Sequence, residues 1–452
     1  MRVVVIGGGM AGLAAAIRLQ EQRHDVVLLE RRGVLGGRAS STRDTVTGDA
    51  VDNGTHLMLR AYHDTLDLIW RAGVEDLLLQ QETLRIDYVD VGGPTALVCP
   101  PLIAPLHLAF ALLRLRLPWP ARWQALRLGS ALGWGRRPRG LTLAEYFARH
   151  GQGLSVRRLL WDPLATAILN VAPEVGDAGL FVECVRRAFF ESAEDSGLVF
   201  LRCGFGELAE RLGRYFTDRG GVVARRAVAE AIDVRDDRAI AVRCRQRPLG
   251  REEIESGVRA HDETIETDAV VCAVPWNRVA ALLPEPWQTV PPFANFAQLG
   301  TSPIVSIELW LDRVVVERTM VGLRDSEMEW VFDKGALQGR KGAPQYLSFV
   351  LSAAERGAAR PNAELVGLAE EALKRYFPKM REAQVVRSLV RREPEATFSC
   401  TPHNEALRPG AVTPIEGLYL AGDWTDTGLP ATIEGAVQSG VGAARVVCDA
   451  DR

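Results

Sequence analysis

Arg2-Val3-Val4-Val5-Ile6-Gly7-Gly8-Gly9-Met10-Ala11-Gly12-Leu13 opens the chain, and Asp25-Val26-Val27-Leu28-Leu29-Glu30 follows after eleven intervening residues. The first apolar run predicts a short buried strand, the glycines a tight turn, Leu13 to Gln22 a helix, and Asp25 to Glu30 a second strand ending in an acid. Such a βαβ unit carries a phosphate site. Gly7 permits the sharp turn, Gly9 lets a pyrophosphate approach the backbone, and Gly12 lets helix and strand pack closely, so that unpaired amides at the helix start, Ala11 among them, face an anion. Glu30 follows Gly12 by eighteen positions, near the ~20 expected for an acid that takes hydrogen bonds from an adenosine ribose. The spacing predicts a dinucleotide site.

Further along, Glu30-Arg31-Arg32-Gly33-Val34-Leu35-Gly36-Gly37-Arg38 carries a second glycine pair that a plain NAD domain does not need. Glu30 with Gly36-Gly37-Arg38 resembles the extended FAD signature of the amine oxidase, protoporphyrinogen oxidase and carotenoid desaturase superfamily. The resemblance implies that Glu30, Arg31, the glycine pair and Arg38 lie along the cofactor, with the Arg38 fork suited to its phosphates.

Leu418-Tyr419-Leu420-Ala421-Gly422-Asp423-Trp424 is again a strand ending in Gly-Asp, and Pro430-Ala431-Thr432-Ile433-Glu434 starts a helix. The superfamily closes its FAD site with such a segment. The match implies that Gly422 and Asp423 meet the ribityl or pyrophosphate and that amides near Thr432 and Ile433 meet the flavin's pyrimidine edge. Glu434 reads as an acid favoured in a first helical turn. Gly220 to Ile232 resembles the adenine-side strand, with Val228 as a backbone contact to adenine, and Asp268 to Pro275 resembles the strand that re-enters the FAD domain.

The expected fold class is therefore α/β, a Rossmann-like FAD-binding domain of the amine oxidase and phytoene desaturase type with an inserted α+β substrate domain. Its FAD part is expected from 1–75, 198–290 and 395–452, and its substrate part from 76–197 and 291–394. The FAD is expected to be non-covalent, because nothing around Cys400 matches a covalent attachment motif.

Composition agrees with a folded chain: 452 residues, 47% hydrophobic and 25% charged, exclude disordered and collagen-like classes. Lysine stands only at 334, 341, 374 and 379, and arginine supplies every other basic residue. With 54 basic against 57 acidic residues the chain does not read as a nucleic-acid binder. The 7 cysteines are scattered, without CxxC pairs or metal-ligand spacing, which predicts reduced thiols and no metal site. The strand beginning at Arg2 leaves no room for a signal peptide, so a cytoplasmic location is expected. Val91 to Leu113 lacks charge but is interrupted by Pro94, Pro100, Pro101 and Pro105, against one spanning helix.

From Val91 to Ala144 no acid occurs, while Arg114, Arg116, Arg122, Arg127, Arg136, Arg137 and Arg139 give a formal +7. Leu106, Ala109, Phe110, Leu113 and Leu117 fall at helical spacing, and Trp119, Trp123 and Trp134 are residues favoured at a lipid interface. A membrane-facing helical segment near 101–134 is expected, peripheral on the inner face of the cell membrane.

Asp52-Asn53-Gly54-Thr55-His56-Leu57-Met58-Leu59-Arg60-Ala61-Tyr62, together with Trp161-Asp162-Pro163-Leu164 to Asn170 and the 421–436 segment, resembles the squalene-associated FAD-dependent desaturases, better described as hydroxysqualene dehydroxylases. Thr55 and Arg60 depart from the Gln and Gly expected there. The resemblance implies reductive removal of an allylic hydroxyl from an apolar isoprenoid, hydroxysqualene, giving squalene in bacterial squalene and hopanoid synthesis. Hydroxide leaves poorly, so a proton donor is required; His56, Asp162 and Tyr62 are the candidates. The rival readings are a phytoene-type desaturase of the same fold and a non-catalytic prenyl-lipid escort protein. The intact glycines, Glu30, Arg38 and Asp423 argue against the escort. An amine oxidase would need an aromatic cage, for which Trp424 is the candidate.

Overall fold

A computed structural model describes residues 1–248, 256 and 259–452; positions 249–255 and 257–258, inside the expected 198–290 segment, lie outside the described residues. Strand Arg2–Ile6 sits at the centre of a five-stranded parallel sheet, flanked by Asp25–Glu30 and Ala269–Cys272, with Val222–Arg225 and Leu418–Leu420 outside them. Its strands read as unbroken apolar runs because both faces are covered. Helix Met10–Glu21 packs on helix Ile433–Ala450 so closely that a Cβ at Gly440 would stand 2.1 Å from the Ala11 carbonyl oxygen. The two ends of the chain thus share one small-residue helix contact.

A seven-stranded mixed sheet runs Val385–Phe398, Thr301–Leu311, Gln345–Leu351, Trp330–Asp333, Met320–Leu323, Arg85–Asp90 and Gly93–Val98 in spatial order. Strand Val385–Phe398 continues past the boundary expected at 394. Alternation sorts its faces: Val305, Ile307 and Leu309 pack with Leu365, Ala369 and Leu373 of helix Asn362–Tyr376. Ser306, Glu308 and Trp310 take the opposite side and meet residues of the 49–56 segment.

Helices cover 106–189. The proline-rich stretch 100–105 separates strand Gly93–Val98 from helix Leu106–Arg114, and helix Trp119–Trp134 follows. Leu128, Leu132, Phe147, Trp161 and Phe181 form their shared core. No helix among the described residues is long and apolar enough to cross a membrane. The run 154–169 is helical throughout, with a π-turn at Arg157–Trp161, so Asp162 lies within it and accepts from Arg157.

Candidate functional site

The glycine turn has the geometry that an anion needs. Helix Met10–Glu21 starts after Gly9 with no side chain capping its first turn, leaving amides free to point outward. A Cβ at Gly9 would meet only the Gly37 Cα, at an ordinary contact distance of 3.8 Å, and the two glycine loops are joined by the Gly36 amide, which donates to the Gly8 carbonyl at 2.8 Å. At Gly12 the opposite holds: a Cβ would stand 1.9 Å from the Gly7 carbonyl oxygen. Glu30 is buried, accepting from the Gly8 amide at 2.9 Å and the Arg32 amide at 2.7 Å. Arg31 is exposed, whereas Arg32 reaches back to the Gly37 carbonyl at 2.6 Å. The arginine that braces the glycine loop is therefore the second of the pair.

Arg38 joins the two ends of the chain. Its guanidinium donates to the Asp423 carboxylate and, at 2.8 Å, to the Ala396 carbonyl. Gly422, at φ +150°, donates its amide to Ser439 at 2.8 Å, and a Cβ there would collide with the Trp424 ring at 2.2 Å. Thr432 caps helix Ile433–Ala450 by accepting from the Gly435 amide at 3.0 Å. Ile433 opens that helix. Val228 lies three residues beyond Arg225, which pairs in register with Glu30, so it stands on the side of the sheet where that acid ends its strand.

Glu434 does more than favour a first turn. Its buried carboxylate accepts from the amides of Asp64 at 2.9 Å and Thr65 at 3.0 Å and from the Thr65 hydroxyl at 2.6 Å, capping helix His63–Arg71 from another element. Trp424 belongs to the core: it stands edge-on to Phe296 at 5.1 Å and donates to the Val274 carbonyl at 3.1 Å. Cys400 is a buried free thiol whose pKa burial pushes up to about 12.

The three expected proton donors occupy separate places. His56 packs edge-on to Phe205 at 4.9 Å, and burial holds its pKa below the ordinary value while its ring donates to the Arg38 carbonyl. Its buried Nε2 has no partner, so the neutral ring offers an acceptor there. Tyr62 lies beside Thr432, and burial raises its phenol well above the usual range. Asp162 pairs with Arg157 at 3.0 Å in the helical layer; burial raises its pKa against that pairing.

What sequence reading missed is a buried polar cluster between the 49–56 segment and the seven-stranded sheet. Asp52 accepts from Lys334 at 2.6 Å, from Ser41 at 2.6 Å and from the Phe205 amide at 2.9 Å. Burial alone would raise its pKa, but the Lys334 ammonium overrides that and holds it below the ordinary value. Glu308, Tyr346, Ser348 and Thr55 adjoin this pair. Two signals were available: Lys334 is one of few lysines in an arginine-dominated chain, and Glu308 interrupts the apolar strand Ile304 to Leu311.

No group of three or more His, Cys, Asp or Glu among the described residues is arranged to hold a metal ion. The free amides of the glycine turn, the two glycine loops bonded side by side and the Arg38–Asp423 pair fit a flavin dinucleotide. The family profile "Flavin containing amine oxidoreductase" matches residues 10–448. A hydroxysqualene dehydroxylase of Rhodopseudomonas palustris is 30% identical, covering 100% of this chain and 99% of its own. The Arabidopsis thaliana 15-cis-phytoene desaturase is 27% identical over 97% of this chain and 78% of its own. Among solved structures, an oxidoreductase from Methanosarcina mazei superimposes with TM-score 0.72 at 18% identity, covering 99% and 100% of the two chains. Cyclohexylamine oxidase from Brevibacterium oxydans gives 0.70 at 16%, covering 100% and 99%. The chain belongs to the flavin-containing amine oxidoreductase family and is an FAD-dependent oxidoreductase.

Proposed function

We propose that this enzyme removes the hydroxyl of hydroxysqualene reductively, giving squalene in a bacterial squalene and hopanoid route. The observation that carries this reading is the end-to-end similarity to hydroxysqualene dehydroxylases, whereas the phytoene desaturases extend well beyond the match. When bound, reduced FAD supplies the hydride that replaces the departing oxygen. The free amides of the glycine turn and Arg38 would hold the pyrophosphate, Glu30 the ribose, Val228 the adenine, and the Thr432 and Ile433 amides the pyrimidine edge. We assign the FAD domain to 1–75, 198–290 and 395–452 and the substrate domain to the intervening segments.

An anaerobic single turnover tests the reaction: enzyme with FAD reduced beforehand is mixed with hydroxysqualene in detergent, while flavin absorbance and products are followed. Squalene formed in step with flavin oxidation is the expected result. Flavin reduction when oxidised enzyme meets phytoene, without squalene formation in the first experiment, would establish the desaturase instead.

An apolar substrate is best drawn from lipid, and the helical segment supports such access. Leu106, Phe110 and Leu113 of the expected stripe turn outward, Ile103 is 74% exposed, and Trp119 and Trp123 are 63% and 65% exposed. Arg114 and Arg122 lie over the Phe110 and Trp119 rings at 4.3 and 4.9 Å. Apolar side chains rimmed by arginine suit an anionic bilayer surface. Flotation with vesicles containing anionic lipid should capture the wild type, and the Trp119→Glu/Trp123→Glu variant should bind about 100-fold more weakly, on the order of 3 kcal/mol for two indoles no longer buried. Equal flotation of both would remove this surface from the proposal.

A further inference from the structure

Removing a hydroxyl as water requires a proton; burial holds the pKa of His56 down, and Asp162 is paired with Arg157 in the helical layer. The buried cluster contains a further carboxyl. Glu308 is 2% exposed and projects from strand Thr301–Leu311 on the side turned toward the 49–56 segment. Its Oε1 is 3.0 Å from the Ser348 hydroxyl, and Ser348 Oγ is 2.9 Å from Thr55 Oγ1, where either oxygen can donate. Thr55 directly precedes His56, whose ring bonds the Arg38 carbonyl, and the Arg38 side chain holds Asp423. An acid, two hydroxyls and the arginine of the cofactor loop thus follow one another.

The Tyr346 hydroxyl lies beside Glu308 and bears on its carboxyl, whose Oε2 is buried without a well-formed hydrogen bond. An ionised Glu308 would sit in this water-excluded cluster with only neutral hydroxyls on it, its one nearby cation being already paired with Asp52. The groups facing Glu308 are Lys334 and Asp52, which pair with each other, and Tyr346 and Ser348 from the neighbouring strand. Asp49 acts on Tyr346, whose ring stacks on Trp310 at 4.6 Å. Leu389 stands opposite in the other neighbouring strand. Burial outweighs Lys334 and the hydrogen bonds and pushes Glu308 up to about 7.

We propose that Glu308 stores the proton that leaves with the substrate hydroxyl and passes it through Ser348 and Thr55. The inference rests on the reductive dehydroxylation proposed above. Glu308 gives its proton to Ser348, Ser348 gives its own to Thr55, and Thr55 gives its own to the substrate oxygen. The C–O bond breaks with its electron pair on oxygen, which departs as water; the hydride on carbon comes from the reduced cofactor. Each hydroxyl ends as it began, and Glu308 ends as a carboxylate near the Lys334 ammonium, to be reprotonated from solvent. Thr55 completes the hydroxyl chain.

The test compares the wild type with Glu308→Gln, which keeps size and the Ser348 contact, and with Thr55→Val, which cuts the chain while leaving the carboxyl in place. In anaerobic single turnovers Glu308→Gln should lose about 100-fold in rate, the lower end for a positioned acid, with the ionisation near 7 gone from its pH profile and FAD binding retained. Thr55→Val should slow comparably. Burial also pushes Glu329 up to about 7, so infrared titration of holoenzymes carrying Glu329→Gln supplies the readout independent of turnover: a carboxylic acid band that disappears near neutral pH in that background and with Thr55→Val added, and is absent once Glu308→Gln is added. A wild type that makes no squalene overturns the reaction and this role together. A wild type that turns over while both variants match it in rate and pH profile, or the lack of a titrating buried carboxyl, overturns the proton store alone.

Discussion

Gly12→Ala protein will purify without bound flavin. The added Cβ would sit 1.9 Å from the Gly7 carbonyl oxygen, and that atom belongs to the backbone of the turn itself. No side chain can swing aside, so the turn or the start of helix Met10–Glu21 must move, and with it the amides aimed at the pyrophosphate. FAD affinity should fall by at least about 100-fold, roughly 3 kcal/mol, measured by flavin absorbance after desalting and by reconstitution titration. Gly9→Ala makes the informative partner. Its Cβ would meet only the Gly37 Cα at 3.8 Å, an ordinary contact, so the apoprotein should keep its melting temperature while FAD binding weakens. Undiminished FAD binding by Gly9→Ala would mean that the pyrophosphate does not approach the Gly9 backbone.

Lys334→Met is the substitution with the largest expected cost to stability. It leaves the Asp52 carboxylate, 2% exposed, without the ammonium at 2.6 Å. Removing one member of a buried pair costs about 3–5 kcal/mol, most of it the penalty of the stranded charge. Asp52 also fastens strand Ser41–Arg43 through Ser41 and the start of helix Phe205–Thr217 through the Phe205 amide, so the loss reaches the cofactor side of the molecule. The pH dependence has a definite sign. In the wild type Asp52 titrates below its ordinary value, so its contribution is present above the unfolded pKa and is lost as pH falls through the lower folded one. In Lys334→Met the stranded carboxyl is instead easier to protonate, so the gap between variant and wild type should narrow as the solution is acidified. Urea unfolding at several pH values measures this, and Asp52→Asn/Lys334→Met should recover part of the loss. A uniform gap across pH would show that packing, not charge, accounts for the cost.

The glycine turn, Glu30, the second glycine pair, Arg38 and Asp423 were legible in the sequence because a phosphate-binding turn depends on spacing over a few residues and on strand and helix signals that are local. The same locality explains what was missed. Arg31 and Arg32 are neighbours with equal chemistry, and only the path of the loop decides that Arg32 meets the Gly37 carbonyl. Glu434 looked like an ordinary first-turn acid because the helix start it caps, at Asp64 and Thr65, is distant in the chain.

The sequence by itself pointed to the α/β class and to FAD as the cofactor, since each rests on short-range periodicity or on a motif; of the expected apolar stripe, Leu106, Phe110 and Leu113 turn outward while Leu117 is buried. Only the tertiary structure decided how charge is distributed in the interior. Asp52 meets Lys334, Glu308 meets Ser348, and Ser348 meets Thr55, across separations of 282, 40 and 293 residues along the chain. No local pattern encodes such pairings. They arise because the seven-stranded sheet turns its polar edge of residues against the 49–56 segment, where exclusion of water makes each of these groups depend on the others.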